Sequence, residues 1–239
     1  MRRRPIMMML IPAYIAVFAG MLFTTTMYDN AADAIAENTP LTKRHRVVID
    51  AGHGGMDGGA TSYSGVLESK LNLDIAFRLN DLFHLLGIDT VMIRNGDYSV
   101  YTQGATIAQQ KVSDLKQRVQ ISNTTKNAFV ISIHQNYFPD SRYYGPQIFY
   151  AKTEGSLTVA GKLQNTLNLT LAKGCKRKEK QANGIYLMEH ITCDGVLVEC
   201  GFLSNPAEEG KLLSANYQKQ ICSVIACVIA NHFNSQQLS

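Results

Sequence analysis

Two histidines and two glutamates, residue types that commonly bind metals or transfer protons, lie beside or within apolar runs of the sequence. His53 lies in a glycine-rich segment, VVIDAGHGGMDGGA, directly after an apolar run, and His134 lies near the end of another, VISIHQN. Glu199 lies inside a third apolar run, VLVECGF, and Glu68 precedes a leucine-rich segment. Two histidines and a carboxylate are a common ligand set for a catalytic zinc, and a further glutamate can carry the proton of a water molecule. These residue types therefore indicate metal-assisted hydrolysis.

Glu199 gives the strongest single indication of the four residues. An unpaired carboxylate is costly to bury, so a glutamate within the run VLVECGF implies either a charged partner or a chemical role. A single histidine at a strand end is more often a hydrogen-bonded structural residue, so His53 and His134 indicate a site only in combination. The glycines around His53 carry no side chains that would crowd a metal ion or a substrate.

The glycine-rich segment does not match the common nucleotide-binding patterns. Gly52 and Gly54 are followed by Asp57 where a dinucleotide fingerprint has its third glycine, and no Gly-Lys-Ser/Thr follows as in a P-loop. The H-E-x-x-H pattern of many zinc proteases and the G-x-S-x-G pattern of serine hydrolases are absent from the sequence. Charged residues make up 18% of the chain and the net charge is +4, which argues against a nucleic-acid-binding protein.

The elements that must position these residues alternate between strand-like and helical patterns. Short runs rich in Val and Ile predict six strands, at 46–50, 90–94, 129–134, 147–151, 185–188 and 196–200. Apolar residues spaced by three and four predict helices at 71–86, from a Ser113 cap to Asn123, from Ser156 to Gly174, and at 217–233. This order predicts a single three-layer α/β domain with a six-stranded, mostly parallel sheet flanked by helices.

The predicted sheet explains how distant residues could meet. In open α/β sheets, ligands bind beyond the carboxyl ends of the strands. His53 follows the first predicted strand, while His134 and Glu199 lie at the ends of two others, and Glu68 opens the first helix. We therefore expect the four side chains to converge on one crevice.

Several other residues allow two interpretations each. Asp57 lies four residues after His53 and could orient its imidazole, or could instead stabilise a turn. Asn136 could hydrogen-bond a substrate. Arg94 and Arg118 could contact substrate carboxylates, or could pair with acidic residues on the protein surface.

The N-terminus has the composition of an export segment. Three arginines at positions 2–4 precede the uncharged run 5–23, which is near the minimum length of a membrane span. We expect residues 1–36 to form either a signal peptide or a membrane anchor through residues 5–23, followed by a linker at 37–44. The catalytic domain would then occupy residues 45–239 of the 239-residue chain and act outside the cytoplasm.

The ordered set of motifs resembles a known enzyme family. The segments DAGHGGMDGGA, ISIHQN and LVECGFLSNPAE, with Glu68 between the first two, are similar to zinc-dependent N-acetylmuramoyl-L-alanine amidases of bacterial cell walls, the Amidase_3 type. The similarity runs from about Arg46 to the C-terminal helix and includes MIRNGD, LKQRVQISN and NGIYLMEHIT. Within the family, the single short domain is most similar to the amidases that act on the spore cortex.

The resemblance implies specific roles for the residues already singled out. By position, His53, Glu68 and His134 correspond to the ligands of one zinc ion, and Glu199 corresponds to the catalytic glutamate. The implied reaction is hydrolysis of the amide bond between N-acetylmuramic acid and L-alanine in peptidoglycan, which in the cortex leads towards muramic δ-lactam. The alternatives are an exported zinc hydrolase of another wall amide, or an inactive wall-binding or scaffold relative.

The resemblance also implies where the protein works and with what. Peptidoglycan is the expected substrate and no nucleic-acid partner is expected. The expected location lies between the spore membranes at the cortex. Because the chain shows no wall-binding module, targeting would depend either on the membrane anchor or on an accessory or activator protein.

Overall fold

A six-stranded sheet lies at the centre of residues 45–237, the part of the chain that the computed structural model describes. In chain order the strands are β1 (Arg46–Ala51), β2 (Asp89–Met92), β3 (Ala128–Asn136), β4 (Gln147–Tyr150), β5 (Lys180–Gln181) and β6 (Asp194–Phe202). Their spatial order is β2-β1-β3-β6-β4-β5, and β4 with β6 is the one antiparallel pair among these strands. The strands are short and apolar because both faces of the sheet are covered.

Within the described residues, six helices cover the sheet. They are α1 (Glu68–Leu85), α2 (Ile107–Thr124), α3 (Glu154–Thr170), α4 (Tyr186–His190), α5 (Pro206–Leu212) and α6 (Ala215–Gln237). Helices α1, α3 and α6 pack on one face, where Ile49 and Ile131 belong to the larger core. Helices α2 and α4 lie over the opposite face, where Val48 and Val130 belong to the smaller core. The predicted three-layer, mostly parallel α/β fold is therefore confirmed.

The strand predicted at 185–188 is wrong, since most of these residues lie in the short helix α4. The fifth strand is instead the two-residue β5, which lies upstream at the edge of the sheet. A short apolar run fits a buried helix as well as a strand. Leu187 and Met188 lie on this helix, and their side chains are buried in the smaller core against the sheet.

The second helix begins earlier than the predicted Ser113 cap. Thr106 caps α2, and its side chain forms a reciprocal capping box with Gln109. Ser113 is buried inside the helix, where its hydroxyl accepts a hydrogen bond from the backbone N–H of Thr102 at 3.1 Å. A serine in a helical pattern therefore stabilises the preceding loop here.

Helix α5 was not predicted from the sequence. The pair Asn205-Pro206 favours a turn, but Asn205 caps the helix by accepting a hydrogen bond from the Ala207 N–H at 2.9 Å. Pro206 occupies the first helical turn, where its missing N–H costs nothing.

The predicted N-terminal segments, residues 1–36 and 37–44, lie outside the described residues. Across positions 45–237 we find no helix with the length and apolar character needed to cross a membrane.

Candidate metal centre

The carboxylate of Glu68 lies between the imidazoles of His53 and His134. Its Oε1 atom is 3.3 Å from Nε2 of His53 and 3.0 Å from Nδ1 of His134. The nearest ligand-capable atoms of the three side chains all lie within 4.8 Å of one another. Two histidines and a carboxylate gathered at this spacing could hold a metal ion.

Parallel strand pairing brings His134 next to Glu199. The two residues are direct neighbours in the register of β3 and β6. Because side chains alternate between the faces of a strand, both point towards the face covered by α2 and α4, opposite to Ile133 and Val198. Glu68 reaches the same place from the first turn of α1, where its negative charge also suits the helix dipole.

Glu68 is buried and is held in place by protein donors as well as by the histidines. Its Oε2 atom accepts from the Ala60 N–H at 2.9 Å, and its Oε1 atom accepts from the Gln135 N–H at 3.2 Å. The amide of Asn72, one helical turn later, also donates to Oε1 at 3.3 Å. The side chain of Gln135 in turn donates to Asn72 at 3.1 Å.

The glycines of the loop after β1 leave room for the functional side chains. A Cβ atom on Gly52 would lie 2.2 Å from the ring of His134. A Cβ atom on Gly59 would lie 2.6 Å from Oε2 of Glu68 and 2.8 Å from the ring of His53. Separations below about 3 Å do not occur for real Cβ atoms, so at these positions the absence of a side chain lets the cluster form.

His53 has an unusual backbone and a fixed ring. Its φ angle is +61°, a left-handed conformation that costs a non-glycine residue roughly 1–3 kcal/mol. Its Nδ1 atom lies 3.0 Å from Oδ2 of Asp57, whose other oxygen lies 3.1 Å from Nζ of Lys111. Asp57 therefore contacts the imidazole, and it also accepts a turn hydrogen bond from the Gly59 N–H at 3.4 Å.

Arg94 and Arg118 are buried rather than exposed on the protein surface. Arg94 has no exposed surface and Arg118 is 3% exposed. Arg118 pairs with the buried carboxylate of Asp50 and with Asp114, and both arginines donate to the backbone next to His53. Pairing with acidic residues, one of the two predicted alternatives, therefore holds for Arg118, although Asp50 is buried, whereas Arg94 binds backbone carbonyls instead. The burial of both arginines left no sign in the sequence, because arginine is almost never fully buried.

Glu199 has the properties of a proton carrier. Its Oε2 atom is buried and has no hydrogen-bond partner among the described residues. Burial raises the pKa of this carboxyl to about 7, with His134 opposing the shift and Glu68 adding to it. A carboxyl with a pKa near neutrality can accept a proton and return it at physiological pH.

The charges of the histidine–carboxylate cluster reinforce one another. Burial lowers the pKa of His53, but Glu68 and then Asp57 outweigh it and raise that pKa to about 9. Burial raises the pKa of Glu68, but the hydrogen bonds and charges of His134 and His53 outweigh it and hold that pKa well below its usual range. In the metal-free protein, Glu68 is therefore an anion beside a protonated His53.

These side chains border an open cleft of about 380 Å³ over the α2 and α4 face of the sheet. His53, Asp57, His134 and Glu199 line it, together with residues of α2 and α4 such as Lys111 and Tyr186. Asn136 is not among the lining residues; it pairs with Phe202 beyond an irregularity in β3. The structure thus brings the predicted ligands, Glu199 and Asp57 together, and leaves Asn136 at the margin.

Sequence reasoning missed Asn72 and Gln135, which both bind Glu68. The only available signal was position, since Asn72 lies one helical turn after Glu68 and Gln135 directly follows His134. Neither residue type indicates chemistry without the geometry.

Comparisons with known proteins agree with this architecture. Residues 47–231 match the Amidase_3 family model, described as N-acetylmuramoyl-L-alanine amidase. The germination-specific N-acetylmuramoyl-L-alanine amidase of Bacillus subtilis is 36% identical over 192 residues, covering 80% of each chain. N-acetylmuramoyl-L-alanine amidase LytC of the same organism is 29% identical, covering 75% of this chain and 34% of the relative.

Solved structures show the same fold. The CwlD amidase from Clostridioides difficile, in complex with the GerS lipoprotein, superposes with a TM-score of 0.76 at 34% identity, over 80% of this chain and all of that chain. An N-acetylmuramoyl-L-alanine amidase from Clostridium difficile 630 superposes with a TM-score of 0.70 at 28% identity, over 81% of this chain and 98% of that chain. The resemblance to the amidase family and to its germination-specific members is confirmed. This chain belongs to the Amidase_3 family and is an enzyme of the N-acetylmuramoyl-L-alanine amidase type, acting on peptidoglycan outside the cytoplasm.

Proposed function

We propose that this amidase is zinc-dependent, with His53, Glu68 and His134 as the ligands of one ion and Glu199 as the catalytic residue. The observation that carries the proposal is the convergence of the three ligand side chains, from a loop, a helix start and a strand end, within 4.8 Å. Glu199 stands beside them in the neighbouring strand.

The residues fit such an ion on two further grounds. Two nitrogen donors and one carboxylate form a donor set typical of catalytic zinc sites that keep one position open for water or substrate. The glycines at 52 and 59 provide space that a side chain would fill, and that space surrounds the ligand atoms. Gly59 also has a φ angle of +68°, a left-handed conformation that favours glycine.

In the proposed reaction a bound zinc ion would polarise the scissile carbonyl and acidify the attacking water. Glu199 accepts the proton of that water and returns it to the nitrogen of the departing L-alanine. Asp57 holds the imidazole of His53 through Nδ1, so that Nε2 faces the site. Asn136 remains a candidate for a substrate hydrogen bond at the end of β3.

The first test is mass spectrometry of peptidoglycan digested with the protein and zinc, beside a Glu199→Gln sample. We expect free stem peptides that begin at L-alanine, peptide-free muramic acid, and no product from the variant. Fragments cut within the stem peptide would assign the zinc chemistry to another wall amide. Absence of product from a zinc-loaded protein would favour a wall-binding relative without turnover.

We further propose a role in spore cortex processing towards muramic δ-lactam. The support is the similarity to the germination-specific amidase of Bacillus subtilis. Expression of this chain in Bacillus subtilis that lacks its own germination-specific amidase should restore δ-lactam in the cortex muropeptides. Spores that remain free of δ-lactam despite active, exported enzyme would contradict this role.

An accessory protein and an N-terminal membrane anchor complete the proposal. The CwlD relative was solved in complex with the GerS lipoprotein, which supports an accessory partner for this chain as well. Residues 5–23 would keep the enzyme at the membrane surface, between the spore membranes. Equal zinc affinity and activity with and without host extract would count against the accessory partner, and release of the intact full-length chain by salt alone would count against the anchor.

A further inference from the structure

Buried arginines bind the backbone that carries His53. The carbonyl oxygens of Ala51, Gly52 and His53 follow one another along the chain, and each accepts a hydrogen bond from Arg94 or Arg118. A strand can end without side-chain donors to its last carbonyls, yet here buried guanidinium groups bind three consecutive carbonyls. The observation points to a function for this part of the loop.

Within residues 45–237, the hydrogen bonds of Arg94 all go to backbone carbonyls. It donates to Ala51 O at 2.7 Å, to Gly52 O at 3.0 Å, to Ser69 O at 2.8 Å and to Gly96 O at 2.8 Å. It thereby ties the loop after β1 to the first turn of α1, which carries Glu68. Arg94 therefore links the backbone just before His53 to the backbone just after Glu68.

Arg118 is fixed on one side and binds the loop with the other. Asp50 and Asp114 hold its guanidinium group, and the Asp114 contact to Nε is 2.6 Å. The remaining N–H groups reach Ala51 O at 3.0 Å and His53 O at 2.8 Å. Asp50 itself accepts from Ser132 at 2.6 Å, so the group is anchored to β3 as well.

The loop needs such restraint because His53 has a positive φ angle of +61°. A residue other than glycine keeps this conformation only where its surroundings enforce it. Asp57 fixes the ring of His53, and its backbone holds Gly54, but neither contact binds the carbonyl of His53. Arg118 supplies this restraint by donating to the carbonyl oxygen of His53 itself.

We propose that Arg94 and Arg118 form a clamp that positions His53 relative to Glu68 and pre-organises the metal site. The inference rests on the proposed function, since it takes His53 and Glu68 as metal ligands. In this role the two arginines act through the backbone of the loop, so they are positioning residues. Lysine could not replace them, because a single ammonium nitrogen cannot span acceptors that a planar five-donor fork reaches together.

The test compares zinc affinity in the variants Arg94→Lys and Arg118→Lys, measured by competition with a chromophoric chelator. Loss of a group that orients a ligand typically weakens metal binding by about 10–100-fold, so at least tenfold weaker binding is expected in each variant. The cobalt-substituted proteins should also differ in their visible absorption spectra. Binding within threefold of wild type in folded variants would overturn the clamp.

Two controls separate positioning from general loss of stability. Arg78→Lys makes the same substitution in α1, where Arg78 donates to the side chain of Gln218 rather than to the loop. Leu163→Ala opens a cavity in the core under α3 without touching the loop. Zinc affinity should be unchanged in both controls, and a loss in Leu163→Ala equal to that in Arg118→Lys would contradict the proposal.

Hydrogen exchange of the metal-free proteins gives a readout that needs no metal. The Gly54 N–H donates to Asp57 O at 2.8 Å within the clamped loop. It should be protected in the wild type and exchange at least tenfold faster in the lysine variants. If neither variant folds, rapid exchange at Gly54 in the wild type alone overturns the clamp, and protection supports it. Failure of the wild type to bind zinc would instead overturn the proposed function and leave exchange at Gly54 to decide the clamp.

Discussion

At the scale of single residues, the roles proposed for the side chains of the site depend on their protonation states. Glu199 is a carboxyl with a buried, unpartnered oxygen and a pKa raised to about 7, whereas Glu68 is held as an anion by two histidines. Two glutamates of the same cluster thus have opposite protonation tendencies, and environments that separate pKa values in this way commonly mark an acid or base and a fixed charge. The catalytic and ligand roles proposed for them follow this division.

Replacing Glu199 by glutamine should separate chemistry from metal binding. The amide keeps the size of the side chain but cannot accept a proton, so kcat should fall by about 10²–10⁴-fold. Zinc affinity should stay close to that of the wild type because the three proposed ligands are intact. Steady-state kinetics on soluble muropeptides with metal analysis of the same sample checks this, and a variant with normal kcat would remove Glu199 from the mechanism.

Zinc affinity should depend on pH between 7 and 9. The pKa of His53 is raised to about 9, so the protonated ring predominates below that pH and must lose its proton before it can bind a metal. The apparent dissociation constant should therefore rise about tenfold for each pH unit below 9. Calorimetry in buffers of different ionisation enthalpy should detect about one released proton at pH 7.5.

The variant Asp57→Asn provides the comparison for this pH dependence. Removing the negative charge beside Nδ1 lowers the pKa of His53, so fewer protons should be released and the slope should become shallower. Zinc affinity that does not vary between pH 7 and 9 in the wild type would contradict the assigned protonation.

At the scale of elements, the loop after β1 explains how much of the site the sequence could predict. His53, Glu68, His134 and Glu199 were predictable because each lies within or beside a recognisable apolar pattern. Parallel strands bring their carboxyl ends to one edge of the sheet. Arg94 and Arg118 were not predictable, since their burial depends on Asp50 and on carbonyls that only the folded loop presents. Local patterns predict where strands end; they do not predict which long polar side chains fold back over them.

The same limit applies to the short elements. Helix α4 and strand β5 are too short for periodicity to identify, and tertiary packing decides their conformation. Long amphipathic helices such as α1 and α6 were placed within a few residues, because their apolar spacing extends over several turns.

Adding one methyl group to the loop should disable the metal site. In Gly52→Ala the new Cβ would lie 2.2 Å from the His134 ring, so the imidazole must move and zinc affinity should fall at least tenfold. Gly210→Ala is the matched control, since its Cβ meets nothing within 4 Å. That variant should keep normal zinc affinity and gain about 0.5–1 kcal/mol of stability from helix propensity. Equal zinc affinity in both variants would show that the approach of Gly52 to His134 does not constrain the site.

At the scale of the whole molecule, residues 45–237 contain the candidate metal centre, the cleft and two apolar cores. The family match over residues 47–231 has the same extent. The chain before position 45 is therefore expected to affect location rather than chemistry.

A fragment of residues 41–239 should fold and act without the N-terminal segment. We expect a single cooperative unfolding transition and a kcat/KM on soluble muropeptides within about twofold of the full-length chain in detergent, because substrate and metal contacts are retained. Differential scanning calorimetry and the same kinetic assay check this expectation. An unfolded or inactive fragment would show that the N-terminal residues contribute to the domain.

The parallel sheet also determines when activity can arise during folding. Arg46 pairs with Ala128, and Phe129 pairs with Asp194, so residues far apart in the chain are neighbours in the sheet. Forming these pairs costs loop-closure entropy before the stabilising contacts between strands are made. Because His53, His134 and Glu199 follow or lie in β1, β3 and β6, we expect the candidate metal centre to form late in folding. A chain threaded unfolded across a membrane would then carry no assembled site, and any metal bound there would come from the compartment where folding ends rather than from the one where synthesis begins.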